Sequence, residues 1–186
     1  MLPEEIAFSL SKLQSKNSED QNEAFTSLMA ATDRPVDWAY DIWADLLALL
    51  KAGDNRQRAI ASQALCNLAE SDPAQRMLQD LPALIEVTRD ERFVTARHCM
   101  QSLWKIGVVG NEQRKLLLKS LSNRFQECAS EKNCTLIRYD ILESVRRVYD
   151  ATSDAEIPRL AASLMDLEGD PKYKKKYATL WQGKLG

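Results

Sequence analysis

Between its turn residues the chain places apolar side chains three and four positions apart almost throughout, and no run alternates cleanly enough for a half-buried strand. The pattern predicts about ten helices, over Glu4–Ser15, Glu19–Ala31, Val36–Ala52, Asn55–Glu70, Pro73–Arg89, Glu91–Val108, Asn111–Ser130, Cys134–Asp150, Ala155–Leu167 and Pro171–Gln182. Turn residues separate them: Asp33-Arg34-Pro35, Gly53-Asp54, Ser71-Asp72-Pro73, Gly107 to Gly110, Ser153-Asp154 and Gly169-Asp170-Pro171. Asp72 and Asp170 each precede a proline, which suits a helix N-cap followed by proline at the first helical position.

The pattern repeats. Residues 56–68 align with 94–106 at an offset of 38, and these with 136–148 at a further 42. In each copy the positions Ala61/Cys99/Ile141, Ala64/Ser102/Ser144, Leu65/Leu103/Val145 and Leu68/Ile106/Val148 form one helical stripe. The small residue within it lets a second helix approach closely. The preceding helices repeat too: Trp43, Leu46 and Leu47 correspond to Leu81, Leu84 and Ile85. Pro82 and Pro158, 76 residues apart, predict a kink at the same place in two first helices.

A two-helix unit of about 38–42 residues has the period of HEAT or armadillo arrays. The endings Ala64-Leu65-Cys66-Asn67-Leu68 and Ser102-Leu103-Trp104-Lys105-Ile106, with Leu81-Pro82-Ala83-Leu84-Ile85 in a first helix, resemble HEAT repeats. Such units usually carry Asp in the turn and Val-Arg entering the second helix. Here those places hold Asp54 with Arg56 and Arg58, Asp90 with Val94 and Thr95, and Asn133 with Ile137-Arg138. The expected fold is all-α, a right-handed α-α superhelix, or HEAT-like solenoid, of about four to five helical pairs. Residues 1–186 form one domain: capping helices over 1–33, repeats over 36–70, 73–108 and 111–150, and a capping pair over 154–182.

In HEAT arrays the second helices line the concave surface, and 100° per residue then selects its side chains. They are Gln63, Cys66 and Glu70; Arg97, Gln101, Trp104 and Val108; Tyr139, Glu143, Arg146 and Asp150. Trp104, flanked by Arg97, Tyr139 and Arg146, has the composition of an interaction hot spot; the alternative is an indole covered in the groove between repeats. The expected partner-binding residues are Arg97, Gln101, Trp104, Tyr139, Glu143 and Arg146. An exposed Trp38 or Tyr40 would instead favour contacts on the outer first helices.

Composition narrows the chemistry. With 186 residues, 45% of them hydrophobic, and a formal net charge of −2, the chain is neither disordered nor broadly attractive to nucleic acid. Some HEAT-like proteins are glycosylases of alkylated DNA, and Arg58, Arg97, Arg138, Arg146 and Arg147 with Trp104, Asp140 and Glu143 supply comparable parts. Acids alternate with these arginines, however, so DNA binding stands as the alternative to a non-catalytic protein-interaction scaffold. The one histidine, His98, falls on the flank of the core stripe, and no metal or cofactor is expected. The four cysteines, Cys66, Cys99, Cys128 and Cys134, read as small apolar residues in a reducing compartment. Lys172-Tyr173-Lys174-Lys175-Lys176-Tyr177 reads as a solvated helix face, and Tyr173, Tyr177 and Trp181 as the apolar side of a closing helix. An acidic start and the lack of a long apolar run predict a cytoplasmic protein, with no membrane contact, acting as a monomer or weak dimer on a protein or peptide partner.

Overall fold

A computed structural model describes residues 1–184 of the chain. Among the described residues it is helical throughout its regular structure, with no strand. The helices are α1 (Glu4–Gln14), α2 (Ser18–Ala31), α3 (Ala39–Ala52), α4 (Asn55–Leu68), α5 (Met77–Val87), α6 (Phe93–Met100), α7 (Trp104–Gly107), α8 (Asn111–Glu127), α9 (Cys134–Thr152), α10 (Glu156–Asp166) and α11 (Pro171–Leu180). Single 3₁₀ turns extend α4 over Ala69–Ser71 and α8 over Cys128–Ser130.

Successive helices pair, α1 with α2, α3 with α4, α5 with α6, α7 with α8, α8 with α9 and α10 with α11. The pairs also stack: α2 on α4, α4 on α6 and α7, these on α9, and α9 on α11, while on the other side α3 packs on α5 and α5 on α8. The repeat-aligned stripe forms the seam. Every position of it is buried except Ser102, which is half-buried. Gly107 permits one close crossing, because a Cβ there would sit 2.8 Å from Val148 Cγ2 on α9.

Local chemistry sets the helix ends. Asp54 accepts from the backbone N–H groups of Arg56 (2.9 Å) and Gln57 (2.8 Å), and the Gln57 side chain accepts from Asp54 N–H (2.8 Å), closing a capping box on α4. Asp170 caps α11 through Lys172 N–H with Pro171 following, as the sequence predicts. Asp72 behaves differently. The chain turns at Gln75 (φ +54°), and Asp72 reaches past Pro73 to accept from Arg76 N–H (2.9 Å) and Met77 N–H (2.7 Å), so α5 starts at Met77 rather than Pro73. Likewise α3 starts at Ala39 instead of Val36, whose N–H is held by Ser71 Oγ at 2.9 Å. Pro82 lies inside α5, but Pro158 is in the first turn of α10, where backbone N–H groups have no intrahelical acceptor, so nothing there demands a matching kink.

The helix predicted over Glu91–Val108 is interrupted. Ser102 Oγ donates to the carbonyl of His98 (2.9 Å), the acceptor that its own N–H would use in an α-helix, and that N–H turns to Cys99 O (2.9 Å) instead. Lys105 and Ile106 continue with i to i−3 bonds to Ser102 and Leu103. Between Ser102 and Lys105, Leu103 N–H keeps an i to i−4 bond to Cys99 O (3.2 Å), and α-helical winding resumes over Trp104–Gly107.

Candidate functional site

Of the stripe expected on the second helices, Cys66, Glu70, Trp104 and Val108 come together at one cleft, while Arg97 and Gln101 engage α9. Before the break, Arg97 turns to α9 and grips the fully buried carboxylate of Asp140 with Nε (2.7 Å) and Nη2 (3.0 Å), while Gln101 Nε2 donates to the same group at 3.3 Å. After it, Trp104 and Val108 line a cleft that reaches towards α2 and α4, with Arg147 of α9 beside the indole. Together with Val109 they form one wall of an open cleft of about 530 Å³. Thr32 and Asp33 from the end of α2, and Cys66, Asn67 and Glu70 from α4 and its 3₁₀ turn, complete the lining.

The floor of the cleft is tied across three stacked helices. Lys105 Nζ donates to Asn67 Oδ1 (2.5 Å), and Asn67 Nδ2 donates to Thr32 Oγ1 (2.9 Å). Asn67 and Lys105 are repeat-equivalent, and the next equivalent is Arg147. Its guanidinium lies 5.9 Å from the centre of the Trp104 ring and donates to Glu143 at 3.1 Å. Asp33 and Glu70 are exposed at the rim, Trp104 is half-buried, and Val109 is 37% exposed. An aromatic and apolar wall therefore meets a rim carrying two carboxylates, while the lysine below is held by an amide.

The other expected site residues lie elsewhere. Arg146, placed beside Trp104 by periodicity, instead pairs with Asp150 (2.9 Å), donates to Leu180 O (2.7 Å) and lies over the Trp181 ring, with Arg147 taking its place at the indole. Tyr139 packs against Tyr177 with 6.4 Å between ring centres and carries Lys176 Nζ 4.3 Å above it. Both face α11. That helix buries Tyr177 and Trp181 completely and covers the part of α9 that the repeat alignment leaves open. Glu143 stays half-buried between the two regions.

All five arginines that could line a nucleic-acid groove are paired with acids: Arg58 with Asp90, Arg97 with Asp140, Arg138 with Glu168, Arg146 with Asp150 and Arg147 with Glu143. Two of these pairs are themselves repeat-related, since Arg58 and Arg138 occupy equivalent positions and each reaches an acid just after a first helix. Burial opposes ionisation of Glu168, yet the Asp170 N–H, Arg138 and Tyr177 together hold its pKa below the ordinary carboxylate value. On the outer helices Trp38 is buried, and the Tyr40 hydroxyl donates to Asp72 while accepting from Ala74 N–H (2.8 Å). His98 is exposed.

Periodicity did not reveal the Asn67–Lys105 link, the role of Arg147 or the Ser102 break. The signal available for the last was a serine inside an apolar helix, where its hydroxyl competes with the backbone. No helix among the described residues is long and apolar enough to cross a membrane. Nor do they gather three or more His, Cys, Asp or Glu side chains as a metal centre would. No protein-family model matches the sequence, and no curated protein is significantly similar to it.

Proposed function

We propose that the chain is a non-catalytic interaction module, a right-handed HEAT-like α-α solenoid whose second-helix surface holds a protein or peptide partner. The observation that carries this reading is the half-buried indole of Trp104 on the wall of an open cleft built from three stacked helices. An amphipathic aromatic ring beside aliphatic side chains, framed by a polar rim, is the composition of an interface hot spot. The partner contributes an apolar side chain to Trp104, Val108 and Val109, and a neighbouring Lys or Arg to Asp33 and Glu70. Arg147, held by Glu143, borders the site, whereas Arg97, Gln101, Tyr139 and Arg146 serve the packing of α9.

The acid pairing of all five groove arginines supports a protein partner over DNA, because phosphates would have to displace carboxylates already in place. Burial of Trp38 and Tyr40's engagement with Asp72 favour the inner helices over the outer ones. The test is paired affinity capture with wild-type protein and Val109→Asp, which alters an exposed rim position. Specific partners are expected with the first and strongly reduced with the second. Equal recovery of every captured protein, or duplex DNA binding at low salt that persists in the variant, would remove the proposal.

A further inference from the structure

The sulfurs of Cys128 and Cys134 lie 3.5 Å apart across the junction between α8 and α9. Five residues lie between them in sequence, of which Glu131, Lys132 and Asn133 between the helical segments are exposed or half-exposed. Cys134 is the first residue of α9 and is half-buried, while Cys128 is buried in the 3₁₀ turn that ends α8. A disulfide requires the sulfurs to close by about 1.5 Å, to about 2.05 Å. The other two cysteines, Cys66 and Cys99, are fully buried and lack an accessible member.

We propose that Cys128 and Cys134 form an oxidation site at which a low-molecular-weight disulfide, of the glutathione type, is exchanged for an intramolecular bond. The Cys134 thiolate attacks one sulfur of the oxidant, whose S–S bond breaks and releases one thiolate. Cys128 then gives up its proton and attacks Cys134 Sγ, breaking the mixed disulfide and releasing the second thiolate. Two protein thiols lose two electrons and two protons, and one oxidant disulfide becomes two thiols. Cys134 is the more exposed of the two, which assigns it the first attack and Cys128 the resolving step, and burial, followed by hydrogen bonding to Cys134, pushes the Cys128 pKa up to about 12.

The bond would fix the end of α8 to the start of α9 at a consequential place. Thr135, next to Cys134, accepts from the Tyr177 hydroxyl of α11 through its carbonyl (2.7 Å), and Arg138, one turn on, pairs with Glu168 at 3.1 Å. Arg138 Nε also donates to Phe125 O (3.2 Å), to which the Cys128 thiol donates at 3.3 Å. Oxidation therefore acts at the base of the network that seats the last helix.

The full chain is equilibrated in glutathione buffers of increasing oxidised fraction, quenched with an alkylating agent and digested with trypsin. Cleavage after Arg124, Lys132 and Arg138 puts the two cysteines on separate peptides, residues 125–132 and 133–138. The expected product is these two peptides joined, two hydrogens lighter than their sum and separated by reductant, with Cys66 and Cys99 unlinked. Cys128→Ser should stop at a glutathione adduct on Cys134, and Cys134→Ser should leave Cys128 unreacted, both with native circular dichroism. Accumulation of a stable Cys134 adduct in the wild type, no oxidation at any glutathione ratio, or reaction of Cys128 in Cys134→Ser would each overturn the proposal.

Discussion

Replacing Glu168 by glutamine tests how the last helix is held. The Glu168 carboxylate accepts from Arg138 (3.1 Å), the Tyr177 hydroxyl (3.2 Å) and Asp170 N–H (3.0 Å), and its side chain is only 6% exposed. Glutamine preserves volume and one carbonyl oxygen but leaves the Arg138 guanidinium, 9% exposed, without a counter-charge. Breaking a buried ion pair costs about 3–5 kcal/mol, and the retained acceptor brings the expectation to about 2–4 kcal/mol. In a chain of this size that lowers Tm by roughly 5–15 °C. Calorimetry and urea unfolding at neutral pH measure it. Because the folded-state pKa of Glu168 lies below its ordinary value, the wild-type advantage is fully present above about pH 4.3 and is lost as pH falls through the folded pKa. Arg138→Met combined with Glu168→Gln should recover much of the loss, since no buried charge then stands alone. A destabilisation below about 1 kcal/mol, or a difference between wild type and Glu168→Gln that persists at full size to pH 2, would refute the reasoning.

Gly107→Ala should destabilise by about 1–3 kcal/mol in urea, because contact with Val148 outweighs alanine's better helix propensity. Arg97→Ala strips the fully buried Asp140 of its counter-charge and leaves it Gln101; allowing for solvent screening of the guanidinium, the loss should be about 1–3 kcal/mol by the same assay. Asp54→Ala removes the α4 capping box, for about 1–2 kcal/mol at pH 7. Burial works against the Asp54 anion, but hydrogen bonds from Gln57, Gln21 and Arg56 keep its pKa low, so that difference should vanish in acid urea titrations as pH falls through the depressed value.

Much of the helical pattern was legible because burial follows periodicity. Leu65, Leu103 and Val145, or Leu68, Ile106 and Val148, needed only a repeat alignment to be placed in the core. The cap at Asp170 was readable, where a short side chain meets the amide two residues on, and not the start of α5, where Asp72 reaches across a left-handed turn to Met77. The candidate site was harder, because reading a surface at 100° per residue assumes unbroken winding. The Ser102 hydroxyl interrupts the helix between Arg97, which pairs with Asp140, and Trp104, which meets Arg147 and the cleft. Arg146 was misplaced beside Trp104 for another reason. Its surroundings depend on α11, a helix thirty-four residues away at Leu180, and such long-range pairing leaves no mark on local pattern.

We propose that the Trp104 cleft binds a protein segment. Calorimetric titration of a captured partner against wild type, Trp104→Ala and Val109→Asp, each shown by thermal unfolding to be folded, tests it most directly. The expected loss for Trp104→Ala is at least about 2 kcal/mol, or roughly 30-fold in Kd. Val109→Asp should weaken binding in the same direction. Unchanged affinity in both variants would contradict the account.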